Sequence, residues 1–388
     1  MSKTINGPYN IVRLEGEINN TKKIIYIFSD IHTADYECDD IDSPDITKYL
    51  LKVFRKAKNK LPDKYYDFFV ETHTRPESET FDIMKRREYI YMVRKMFYHL
   101  NRKKLLLSKE MNIRLHYTDF RDYLNTSANI DMMNHAFTEI NNMFVREWID
   151  SHNIDNIINI VSPVPDIIKN LQHFINGDLK KILIDDKTVY LKHGDITVEQ
   201  SNNMLNNIFM KIRYDYKNKD VQSILTDIFA NINKMLGNTL SKYAHFIEFL
   251  NKARYTYTYT TPYPQLIADR KKIIKTISKI KIYLLDIDET LSYIDVILID
   301  IFMLRRFLDK EYITNALYYC GGHHANIITT ILVKYFDFKI THIAKSEDTV
   351  DNLNKKLKNI DLYKSNMKEI LKPDYQCSSI EGFPDLLT

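Results

Sequence analysis

Short apolar runs that end abruptly in polar residues set the pattern at both ends of the chain. "KKIIYIFSDIHTADYEC" carries the run Ile24 to Phe28, rich in β-branched and aromatic residues, and reads as a buried parallel strand. "KYYDFFVETHTRP" reads as a second such strand closed by a loop at Pro76, and "NIRLHYTDFRDYL" as a third. Between them, "SPDITKYLLKVFRKAKNKL" has apolar residues at helical spacing, with Ser43 or Asp45 as its N-cap. "DIMKRREYIYMVRKMFYHLNRKKLLL" is an amphipathic basic helix. Strand, helix, strand, helix, strand predicts an α/β class with a mostly parallel sheet flanked by helices, assigned to residues 1–128.

From 129 to 275 helical periodicity takes over, in "MNHAFTEINNMFVREWIDSH", "EQSNNMLNNIFMKIRYDY" and "VQSILTDIFANINKMLGNTL". "KILIDDKTVYLKHGD" interrupts it as a hairpin turning at Asp185–Asp186–Lys187. This middle part is expected to be a helical insertion, closed by the connector "RYTYTYTTPYPQ". Residues 276–346 then complete the sheet: "KIKIYLLDIDETL" as a strand, "YIDVILIDIFMLRRFLDK" as a helix, "NALYYCGG" as a strand, "HANIITTILVKYF" as a helix, and "FKITHIA" as a strand. Residues 347–388 read as a polar tail.

Composition narrows the class without naming a reaction. Over 388 residues the net charge is +4, too balanced to imply nucleic acid by itself. No window approaches the roughly 20 apolar residues of a membrane span, and no secretory h-region opens the chain. Cys38, Cys320 and Cys377 are odd in number and widely spaced, which fits a reducing, cytoplasmic setting and gives no disulfide framework. Tyr is abundant (27) and Gly scarce (8), the bias of codon drift in an AT-rich genome.

Candidate chemistry gathers where strands end, the edge at which open α/β sheets bind ligands. Asp30 and His32 follow the first strand, Glu71 and His73 the second, and His116, Asp119 and Arg121 the third. The stretch "YYCGGHHANIITTIL" places two of the eight glycines before His323 and His324, so that backbone can approach a ligand closely at a helix start. Each has a plainer reading: a loop cap for Asp30, an Asp119–Arg121 ion pair, a steric need for the glycines. "YLLDIDETL" copies the Asp-x-Asp-x-Thr of haloacid-dehalogenase phosphatases, with Asp286 as nucleophile and Asp288 as acid/base; a helix cap near Ser292 is the alternative. "SDIHTAD" and "GGHH" resemble the opening and closing blocks of calcineurin-like metallophosphoesterases, whose middle blocks are missing; "HGDITVEQ", with Asp195, comes too late to supply one.

Taken in order, "IYIFSDIHT", "DFFVET", "NIRLHYTDFRD", "IDVILIDIFMLRRF" and "ALYYCGGHHANIITTIL" resemble a family of uncharacterised proteins of mimivirus-like nucleocytoplasmic large DNA viruses. That family shows Gly-Asp-x-His, Phe-x-Glu, Arg-x-His-x-x-Asp-x-Arg, an Asp- and Arg-bearing helix and Tyr-x-Gly-Asp-x-His. Carried over, these implicate Asp30, His32, Glu71, Arg114, His116, Asp119, Arg121 and His324, with Asp300 and Arg305 on the helix. Ser29 and Gly322 depart from the pattern. The layout also resembles, more remotely, the erythromycin-esterase, ChaN and TIKI-protease superfamily, some of whose members are metal-dependent hydrolases while others bind haem or use His/Glu chemistry without metal.

The reading that results is a hydrolase-like site acting on a small molecule or peptide. Asp30, His32, Glu71 and His324 are expected to hold a divalent metal or activate water, and Arg121 to stabilise an oxyanion. A non-enzymatic viral protein is the competing class, meeting RNA or an acidic protein through the basic residues of 85–104, which otherwise form a solvated helix face.

Overall fold

The structure is a computed structural model, and it describes residues 4–32, 38–72, 88–102, 111–121, 126–178, 190–191, 194–195, 198–257, 267–363 and 375–384. The chain divides into two compact units: Met1–Phe120 with Asp215–Ile224 and Val296–Thr388, and Arg121–Tyr214 with Leu225–Asp295.

The first unit is built on a six-stranded sheet, in the order β5-β4-β8-β3-β2-β9. Its strands are β2 (Asn10–Ile18), β3 (Thr21–Asp30), β4 (Tyr66–Val70), β5 (Ile113–Tyr117), β8 (Asn315–Gly321) and β9 (Lys339–Ile343). Strands β5, β4, β8 and β3 run parallel, as their apolar runs predict. Antiparallel pairings of β2 with β3 and β9 make the sheet mixed rather than mostly parallel. Strand β2 has no counterpart among the apolar runs that predict the other strands. It turns into β3 through Asn19 and Asn20, both at positive φ, the two-residue turn that matches strand twist.

Both faces of the sheet are covered. On one, Tyr26, Phe28, Phe68, Val70, Leu317 and Tyr319 pack with helices α1 (Ile46–Lys60) and α2 (Tyr89–Arg102) through Leu50, Phe54, Val93 and Phe97. Asp45 is the N-cap of α1, accepting from Lys48 N at 2.9 Å. Strand alternation sends Lys23 to the opposite face. There its buried ammonium donates to the carbonyls of Phe307, Lys310 and Ile313 beyond a helix C-terminus, and burial lowers its pKa to about 8.

The expected tail is structured. It includes the helix Val350–Asn359 and strand β10 (Cys377–Ser379), which pairs antiparallel with β1 (Thr4–Asn6). Cys377 forms a disulfide with Cys38, which overturns the expectation of three free thiols. A bond joining residues 339 apart in sequence could not be read from spacing. Because it constrains a long loop in the unfolded chain, Cys38→Ser is expected to lower unfolding free energy by about 2–5 kcal/mol in urea titrations under oxidising conditions. Equal midpoints for the two proteins would refute this.

The second unit is helical, with Thr126–Arg146, Ser151–Val161, Val164–Asn176, Val198–Tyr214 and the greater parts of Lys219–Thr256 and Ile267–Asp309. The hairpin is seen as Tyr190–Leu191 paired with Gly194–Asp195; its expected turn at 185–187 lies outside the described residues. "KIKIYLLDIDETL" is not a strand but part of the helix Ile267–Asp309. Ile273, Ile277, Ile280, Leu284, Ile287, Leu291 and Ile294 are buried at steps of three and four, a helical stripe that a short β-branched window conceals. The sheet therefore resumes at Asn315, not near 276.

Candidate functional site

Three strand ends of the first unit converge, and they do so by register. Asp30 at the end of β3 stands opposite Gly321 at the end of β8, and Glu71 follows β4 directly, its N–H bonded to Tyr319 O at 3.1 Å. Helix α9 (Gly322–Tyr335) starts at this point and delivers His324 one turn in. The last stretch of Ile267–Asp309, which carries Asp300, also belongs to this unit.

The side chains form a connected series. His324 Nδ1 lies 2.7 Å from Asp300 Oδ1, and its Nε2 lies 3.5 Å from Glu71 Oε1. The other carboxylate oxygen of Glu71 accepts from Gly321 N at 2.7 Å, at the positive end of α9, and stands 3.9 Å from His32 Nε2. His32 Nδ1 is 3.1 Å from Asp30 Oδ1, and that oxygen also accepts from His32 N at 2.5 Å. Tyr319 donates to Asp30 Oδ2 at 2.5 Å. Asp30, Glu71, Asp300 and His324 are buried, whereas the side chain of His32 is 43% exposed and is the solvent-facing member of the series.

Electrostatics assigns the protons. Burial opposes charge on His324, but Asp300 and Glu71 outweigh it and lift its pKa to about 10, so the ring is an imidazolium at neutral pH. Burial and the neighbouring Asp30 push the Tyr319 phenol well above its usual range, which keeps it a donor. Burial likewise raises the Cys320 thiol, leaving an inert apolar side chain. His32 has φ 55, unusual for a residue with a side chain, and the Asp30 carboxylate bonded to its N–H holds this turn.

The Gly-Gly pair is explained by close approach and not by positive φ, which neither residue has. A Cβ on Gly321 would lie 2.8 Å from His32 Nε2 and 3.3 Å from Glu71 Oε2. On Gly322 it would lie 2.5 Å from the Tyr9 hydroxyl. Gly321 is thus a requirement of the site and Gly322 one of packing.

Other expected site residues sit elsewhere. His116 is buried against Asp67, with Nε2 2.7 Å from Oδ1, and its ring stacks on Phe69 at 4.4 Å. Arg114 holds the same carboxylate through two bonds of 2.8 and 2.6 Å. Burial lowers the pKa of His116. With Nδ1 meeting no partner among the described residues, the neutral Nε2–H tautomer fits. This is a structural cluster toward the start of β4, away from Glu71 at its end. Asp119 stays close to the site by its backbone, with N bonded to Thr72 O at 3.2 Å. Arg121 is counted with the second unit, and Arg305 is turned to the Asp215 carbonyl and carboxylate. His73 lies outside the described residues, as do Lys85, Arg86, Arg87, Lys103 and Lys104 of the basic stretch. Arg94, expected on a solvated face, is buried and donates to Glu71 O at 2.7 Å. Asp286 and Asp288 lie mid-helix in the second unit, Asp286 paired with Lys242 at 2.8 Å, which removes the strand end that the phosphatase signature needs. Asp195 of "HGDITVEQ" also belongs to the second unit.

Comparison with known proteins places the chain in a lineage. A model for a family of unknown function, DUF5847, matches residues 3–388. The chain belongs to this family. Relatives of this DUF5847 member include the uncharacterised proteins R161 and R706 of Acanthamoeba polyphaga mimivirus. They are 31% and 29% identical, covering 98% and 99% of this chain and 97% and 96% of theirs. A third, R160, is 30% identical over 99% of this chain and 97% of its own. The resemblance to large-DNA-virus proteins is therefore shown. No solved structure matches, and the remoter likeness to the erythromycin-esterase superfamily finds no support. Among the described residues, no helix is long and apolar enough to cross a membrane.

Proposed function

We propose that the site is a hydrolase-like acid–base centre at the C-terminal edge of the sheet. The observation that carries this reading is the series Asp300–His324–Glu71–His32–Asp30, open to solvent at His32. Asp30 takes the Nδ1–H of His32, orienting the ring and leaving Nε2 as the base that removes a proton from water. A water bridging His32 Nε2 and Glu71 Oε2 is within hydrogen-bond reach of both, because the two atoms are 3.9 Å apart. The His324 imidazolium, fixed by Asp300, supplies buried positive charge opposite Glu71.

The reading is taken without a metal; Asp30, His32, Glu71 and His324 are the side chains that would hold a divalent ion, and the chelator arm below separates the two cases. With no metal bound, His324 Nδ1 lies 2.7 Å from Asp300 and Nε2 3.5 Å from Glu71, so ligation through Nε2 would release a proton. Among the described residues, no group of three or more His, Cys, Asp or Glu has metal-holding geometry.

The test is turnover of a panel of activated carboxylic esters, peptides and phosphomonoesters by the purified protein, with and without a chelator. His32→Gln and Glu71→Gln are each expected to lower kcat/KM by about 10²–10⁴ on the substrate that turns over, with chelator having no effect. Variants as active as the parent, or a parent inert across the panel, would defeat the proposal.

A further inference from the structure

We infer that the Cys38–Cys377 disulfide is a redox-controlled strap that holds Gln376 against Asp30 and so regulates the site; this rests on the acid–base reading above. The carboxylate of Asp30 receives Tyr319 and the His32 N–H from the sheet and its following turn, but Gln376 reaches it from the far end of the chain, with Nε2 3.4 Å from Oδ1. Gln376 is wholly buried, although glutamine is ordinarily a surface residue.

The disulfide shares the segment that carries it with contacts at its flanks: Lys345 Nζ donates to Tyr375 O at 3.3 Å, and Ile380 and Phe383 pack against the core. Strand β10 is three residues long and pairs with three residues of β1, in a two-stranded ribbon of a kind that is marginal alone. Gly7 N to Gln376 O at 2.9 Å and Ser378 Oγ to Pro8 O at 2.8 Å add local bonds. The covalent link ties this ribbon to Cys38, whose N–H is held by Asn6 Oδ1 at 2.6 Å. Cys38 is six residues beyond His32. One bond therefore links Cys38 to the segment whose Gln376 covers the carboxylate partner of the exposed histidine.

Opening the strap is a two-electron step. A dithiol reductant attacks the half-buried Cys377 sulfur, Cys38 leaves as thiolate and takes a proton, and the second thiol of the reductant resolves the mixed disulfide. The products are two protein thiols and an oxidised reductant. Cys320, buried with its thiol pushed up, takes no part.

The experiment compares full-length protein, oxidised and then treated with dithiothreitol, by alkylation with mass measurement, hydrogen exchange and the imidazole NMR signals of His32. Oxidised native protein should offer no rapidly alkylated thiol, and reduced protein two. Reduction should accelerate amide exchange in 375–380 and at Gly7 by about tenfold or more while β8 stays protected, as a local opening does. Gln376→Ala, with the disulfide intact, should reproduce the change at His32 without the change in exchange. Free Cys38 and Cys377 in protein purified without reductant would overturn the inference. So would unchanged exchange on reduction, exchange that spreads to β8, or a silent Gln376→Ala. None of these readouts needs turnover, so failure of the hydrolase reading is seen separately.

Discussion

Asp300→Ala is expected to cost about 3–5 kcal/mol of unfolding free energy near pH 7, the usual result of removing one partner from a buried ion pair. His324 would keep its burial and lose its 2.7 Å acceptor, with Glu71 at 3.5 Å the remaining counter-charge. The pH dependence makes the assignment specific. In the folded protein the ring titrates near 10 against an ordinary 6.5. Its contribution is therefore fully present below about pH 6.5, declines as pH rises through the interval, and is gone above about 10. Urea unfolding of the parent should show stability falling across that interval, and the Asp300→Ala protein a flatter profile. Parallel profiles would mean that Asp300 does not hold the charge on His324.

On the hydrolase-like reading proposed above, Gly321→Ala is expected to lower kcat/KM by about 10² or more while costing only about 1 kcal/mol of stability. The added methyl meets the tip of the His32 ring, which is partly exposed and can swing outward, away from Asp30 and Glu71. Gly322→Ala should behave in the opposite sense. Its methyl meets the hydroxyl and ring carbons of buried Tyr9, so it should destabilise by about 1–3 kcal/mol and change turnover less. The pair is read by steady-state kinetics beside thermal unfolding, and reversal of the two patterns would reverse the roles given to the glycines.

How much of this was legible in sequence depends on what each residue needed to reveal itself. Asp30, Glu71 and His324 were visible because buried parallel strands write themselves as continuous apolar runs, and the polar residue that stops the run is the one at the edge. Strand β2 was not, because "NIVRLEGEI" alternates charges with apolar residues and has no such run. Asp300 sits in a helix and announces nothing until the fold brings His324 to it. Tyr319 and Gln376 look like core and tail. The region 280–291 misled in the other direction, since its β-branched run is one stripe of a 43-residue helix seen through too narrow a window. The disulfide depended on proximity alone, across nearly the whole chain.

The position of β8 between β3 and β4 has a consequence for biosynthesis. A ribosome finishes β3, β4 and β5 before residue 120 and does not reach the strand that joins them until residue 315. For most of translation the nascent N-terminal part holds apolar strands with unfilled hydrogen-bonding edges, which are templates for mispairing. The β2–β3 and β4–β5 pairs are complete in the chain early, but joining them into one sheet has to wait for β8, a late, long-range closure.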